Sequence, residues 1–138
     1  MARIVIDAGH GGNDPGASGN GIIEKEYALK IKDSLKLTGV KVIGDLDKKV
    51  TKAGIVGGSG AHFSDIINAL NVGCDCYITG EVKLNIAQYA VVNGLSIIEV
   101  NHGIEKEVFY ELQKELSKEF TIDFIVSEID TDPGVIIK

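Results

Sequence analysis

The stretch IVIDAGHGGNDPGASGNGIIEKE, Ile4 to Glu26, places an imidazole, His10, and a carboxylate, Glu24, on either side of a glycine-rich segment. Neutral imidazole is the commonest zinc ligand, and a carboxylate is a second donor. Glu24 has another reading, as an acidic residue stabilised by the dipole of the helix it opens. Two ligands fall short of the three or four that zinc takes from a protein. Further on, His102 and Glu105 stand at i,i+3, a spacing that puts both on one face of a helical turn. A capping role for Asn101 or His102 fits the same residues. Glu81, after Gly80, and Glu105 are candidate general bases for a metal-bound water. Gly58, Ser59 and Gly60, in GGSGAHF, can offer backbone N–H groups to an anion, though a tight strand-to-helix turn needs the same glycines. No Gly-Lys-Ser/Thr follows, so this is not a P-loop, and Ser59 has no neighbouring base to make it a nucleophile.

Hydrophobic patterning supplies the elements that must position these groups. Short β-branched runs predict strands at Arg3–Asp7, Val40–Gly44, Ala53–Val56, Cys76–Thr79, Ser96–Val100 and Ile122–Val126. Helical periodicity predicts Glu24–Lys36, His62–Asn71, Asn85–Val92 and Glu105–Phe120, the last with Val108, Phe109, Leu112 and Leu116 turned inward. Alternating strands and helices, with strands apolar throughout, imply an α/β fold. The expected form is a single three-layer domain over residues 1–138, a largely parallel sheet of about six strands with helices on both faces. In such a sheet the loops after the strands share one rim, where ligands bind. His10, His62 and His102 all fall on or beside those loops.

At 138 residues the chain is long enough to bury a core without disulfides. The first 37 residues are charge-balanced, and the net charge of −6 falls on the remainder. No basic stripe exists for nucleic acid or anionic lipid, so neither is an expected partner. No run approaches the length of a membrane span, and the short apolar start ends in Asp7, unlike a secretory signal. Cys74 and Cys76, one residue apart, are expected as buried reduced thiols in a cytoplasmic protein.

Two resemblances meet in the chain. Residues 4–36, IVIDAGHGGNDPGASGNGIIEKEYALKIKDSLK, resemble the opening of the zinc-dependent N-acetylmuramoyl-L-alanine amidases, which implies zinc-ligand roles for His10 and Glu24. That family's later Ser-x-His-x-Asn stretch and C-terminal catalytic glutamate are missing. From about Val40, the marks GGSG, YITGEVK and NHGIEKE resemble the C-terminal half of the NGG-one-interacting-factor-three family, the GTP cyclohydrolase I type 2 homologues, which carry a dinuclear metal site. The resemblance implies a metal ligand at His102. A glutamate expected four residues on is replaced by Lys106, a histidine by Asn85, and the paired N-terminal histidines are absent.

The chain therefore reads as a hybrid, an engineered or recombined chimera joined near residues 37–40. It is expected to lack a complete native active site and to retain a divalent-metal site, zinc or another ion, near His10, Glu24, His102 and Glu105. A zinc-dependent, amidase-like hydrolase rebuilt from both fragments is the second reading, and a non-catalytic module that forms a homodimer the third. Nothing in the sequence selects a small-molecule substrate.

Overall fold

The computed structural model describes residues 3–6, 22–129 and 134. In chain order the elements are β1 (Arg3–Ile6), β2 (Ile22–Ile23), α1 (Glu24–Ser34), β3 (Lys41–Ile43), β4 (Lys49–Val50), β5 (Lys52–Val56), α2 (Phe63–Asn71), β6 (Cys76–Thr79), α3 (Leu84–Val92), β7 (Ser96–Glu99), a 3-10 helix (His102–Lys106) and α4 (Glu107–Glu119). The main sheet has the order β1-β5-β6-β7-β3. Its first four strands are parallel, and β3 closes the edge antiparallel to β7. A separate two-stranded antiparallel pair joins β2 to β4.

The central strands are buried on both faces, which is why they carry apolar residues at every position. Every residue of β6 is buried. Tyr77 points into one core cluster with Leu95, Ile97 and side chains of α2 and α3, among them Ile66, Ile86 and Ala90. Cys76 and Ile78 point into the other with Ile98, Val100 and, from α1, Tyr27 and Ala28. Cys74 and Cys76 are free, buried and in different clusters. The start of α2 is set by the His62 backbone N–H, which donates to the Asp65 carboxylate at 2.8 Å.

Three expectations change. Among the described residues the main sheet has five strands rather than six, because Ile122–Val126 forms no strand. That run lies along α4 instead: the Gln113 side chain donates to the Phe124 carbonyl, and Phe120 meets Phe124 edge-on at 6.3 Å. The β-branched residues around 42 do make a strand, but it is shorter than predicted and antiparallel. The apolar stripe of α4 is not inward: no residue of that helix is buried, and Val108 is 64% exposed.

Candidate functional site at the strand ends

Three loops converge where β5, β6 and β7 end. The Glu81 N–H donates to the Gly58 carbonyl at 3.1 Å, and the Val100 N–H to the Thr79 carbonyl at 2.9 Å. Gly80 makes this convergence possible. A Cβ there would stand 2.5 Å from the Gly58 carbonyl oxygen and 2.9 Å from the His102 Cα. Asn101 then turns the chain with φ 82° and ψ 146°, a conformation otherwise left to glycine and costing about 1–3 kcal/mol. Its side chain accepts from the Gly103 N–H at 2.8 Å and so caps the 3-10 helix that carries His102 and Glu105.

The result is an imidazole held between two carboxylates. His102 Nδ1 lies 2.9 Å from Glu81 Oε1, and His102 Nε2 lies 3.4 Å from Glu105 Oε2. The three side chains are each about half exposed. A neutral imidazole has one N–H. If Nδ1–H donates to Glu81, the Nε2 lone pair faces a carboxylate oxygen, an unfavourable pairing of two acceptors. A positive charge between them relieves it, as a proton on Nε2 or as a metal cation bound by Nε2 and Glu105. The donor set suits a divalent ion, since a metal-bound histidine commonly gives its second N–H to a carboxylate. Among the described residues no group of three or more His, Cys, Asp or Glu side chains is arranged as a complete cation site. A groove of about 450 Å3 runs from His102 and Glu105 along Phe109, Leu112, Leu116 and Phe124.

The other predicted residues lie elsewhere. His10 falls outside the described residues. His62 caps α2. Gly58 (φ +60°) seats the Glu105 carboxylate, with its Cδ 2.9 Å from where a Cβ would stand, so the loop already faces an anion of the protein's own. The Gly58 and Gly60 carbonyls point inward, to the Glu81 N–H and the Tyr77 hydroxyl. Ser59 brings no hydroxyl into this cluster.

Glu24 is not brought to His102 or Glu105. It is fully buried beside Cys76 and Ser96, which open β6 and β7, while His102 follows the other end of those strands. Three residues of strand separate the two ends, about 10 Å at 3.3 Å per residue. Burial raises the Glu24 carboxyl above its usual range, against smaller lowering effects from Ser96 and Lys48. The Tyr27 phenol beside it is pushed up to about 12, chiefly by burial. Sequence reasoning missed that Glu81 orients His102, and its signal was available in the Gly80-Glu81 pair that leaves β6.

The chain is a mostly parallel α/β protein with an imidazole and two carboxylates on its strand-end rim. The sequence profile described as Duf34/NIF3 (NGG1p interacting factor 3) matches residues 18–133, and the chain belongs to that family. A Bacillus subtilis relative named GTP cyclohydrolase 1 type 2 homolog is 35% identical over 114 residues, covering 79% of this chain and 30% of the relative. The crystal structure of a Bacillus cereus protein related to NIF3 superposes with a TM-score of 0.76 at 31% identity, covering 84% of this chain and 33% of that one. A Staphylococcus aureus structure gives a TM-score of 0.78 at 28% identity, covering 88% and 36%. The chain spans about a third of the length of these relatives.

These matches overturn the hybrid reading. The profile begins inside the amidase-like stretch and runs unbroken across residues 37–40, where a junction was expected. The geometry agrees: β1 ends with Ile6 opposite Ile55, at the far end of the sheet from Glu24, whose N–H bonds the Lys48 carbonyl ahead of β5. The chain is a family member, neither an engineered or de novo chimera nor amidase-like. The readings as a recombined chain without a native site and as an amidase-like hydrolase fall with it. No helix among the described residues is long and apolar enough to cross a membrane.

Proposed function

We propose that this chain is a metal-binding α/β unit of the Duf34/NIF3 family, in which His102 Nε2 and Glu105 supply two ligands to a divalent cation and Glu81 positions His102. The family is generally metal-associated. The observation that carries the reading is the pair of carboxylates at the two ring nitrogens, 2.9 and 3.4 Å away. Glu81 holds the proton at Nδ1, which leaves Nε2 as the free donor and fixes the ring plane. Asn101 and Gly80 set the backbone that aims both side chains outward. A bound divalent ion would supply Lewis acidity for polarising an oxygen. Further ligands must come from water or from residues beyond this pair, because two donors leave a zinc coordination sphere open.

Isothermal titration with zinc and with manganese tests the proposal. The wild-type chain should bind one ion saturably, and His102→Ala and Glu105→Ala should each abolish or strongly weaken that binding. Unchanged binding in both variants overturns it. The two buried free thiols support a reducing, cytoplasmic setting.

A further inference from the structure

The opposite end of the sheet holds a buried polar cluster with no part in the His102 site. Glu24 opens α1 at 0% exposure, and neither of its carboxylate oxygens has a hydrogen-bond partner among the described residues. One turn on, the buried Tyr27 hydroxyl also has no partner among the described residues. The described elements around it bring polar or titratable groups: Tyr27 from α1, Asp45 and Lys48 from the segment before β4, Asp75 and Cys76 at the start of β6, and Ser96 at the start of β7. Lys48 is the neighbouring cation, but its ammonium donates to the carbonyls of Asp75, at 2.7 Å, and of Gly94. An ionised Glu24 in this place has lost its water, and the Ser96 side chain and the Lys48 charge offset that loss only in part, so the seated conformation favours the neutral acid.

The consequence falls on α1. Its Tyr27 and Ala28 cover the core cluster that contains Cys76, Ile78, Ile98 and Val100. Its start is tied by the Glu24 and Lys25 N–H groups to the Lys48 and Leu46 carbonyls. A penalty at Glu24 therefore acts on the seating of one helix over one face of the sheet, a unit small enough to open locally.

We propose that Glu24 is a proton-operated latch: protonated, it lets the first turn of α1 seat on the starts of β6 and β7, and ionised, it frees α1 and uncovers Cys76. The direction follows from linkage. Well below the ordinary carboxyl value both the seated and the open forms hold the proton, and Glu24 exacts no penalty. As pH rises, the open form loses its proton first, so opening is favoured increasingly until the seated carboxyl ionises as well. Seating is thus tightest in acid and loosens toward neutral and alkaline pH.

Cys76, at 0% exposure, reports the opening. In a Cys74→Ser background, its alkylation rate is compared between wild-type and Glu24→Gln chains from about pH 4 to pH 9, which cancels the thiol's own pH dependence. The ratio should be near one at the acid end and rise at least about tenfold by pH 8, because the open carboxyl ionises below the seated one. A ratio that stays flat overturns the latch. If Glu24→Gln fails to fold by circular dichroism, the wild-type carboxyl is titrated by carbon-13 NMR. A Glu24 value in the ordinary carboxylate range then overturns the proposal. A raised value supports it, provided α1 amide exchange also accelerates relative to α2 as pH rises.

Discussion

His102 owes its chemistry to two neighbours that act differently. Glu81 sits at normal hydrogen-bond distance from Nδ1, whereas Glu105 stands off Nε2 at 3.4 Å and lies against Gly58. With all three about half exposed, the ion pairs themselves add little stability. Glu81 orients the ring and Glu105 is the proposed ligand, and the two carboxylates should separate by experiment. Glu81→Gln is expected to leave metal binding present but about 10–100-fold weaker, the usual cost of losing a carboxylate behind a ligand. Glu105→Gln should cost more, since it removes a ligand charge. Equal, negligible effects in a zinc titration would exclude this division of roles. The i,i+3 spacing of His102 and Glu105 was legible in the sequence. The contact with Glu81, twenty-one residues away, was not, because it depends on β6 and β7 being neighbours.

At the scale of elements, the parallel core rests on a few polar fastenings. Asp75, before β6, accepts from the Thr51 N–H at 2.9 Å and the Lys52 N–H at 3.1 Å, and also from the Thr51 hydroxyl. It thereby aligns the starts of β5 and β6. Asp75→Ala should destabilise the fold by about 1–3 kcal/mol, because it strips acceptors from backbone N–H groups there. Urea unfolding checks this, and a loss under 0.5 kcal/mol, roughly the scale of a plain surface substitution, would count against it. Gly80→Ala should cost about 1–3 kcal/mol by overpacking the junction of three loops, and should disturb metal binding as well. The four helices and the central strands were readable from periodicity, to within a few residues at their ends. Two things were not: the antiparallel β3, since strand direction leaves no mark on a short β-branched run, and the β2–β4 pair, too short to show a pattern.

Across the whole molecule, stability is uneven. The strands β6 and β7 are buried almost throughout and α1, α2 and α3 each bury residues against them, whereas α4 buries none. Amide exchange should therefore be slowest in β6 and β7 and faster by orders of magnitude in α4, because exposed helices open at little cost. Comparable protection in α4 and β6 would refute that picture. The exposed Val108, Phe109 and Leu112 explain why amphipathic periodicity misled: it shows that a helix has an apolar side, not that anything covers it.

Family membership is written along most of the chain, yet the short N-terminal likeness to an amidase pulled the reading toward a hybrid. Read alone, the sequence determined the α/β class, the positions of the helices, the buried thiols and the His102–Glu105 pair, all of which rest on local spacing and residue type. Only the tertiary structure decided which carboxylates meet. Glu81 reaches His102 because parallel neighbours end together, while Glu24, opening α1, is carried to the opposite end of the same strands and buried there. The reason is physical: spacing along a chain governs contacts within one element, but contacts between elements follow from strand order and direction, which hydrophobic patterning does not encode.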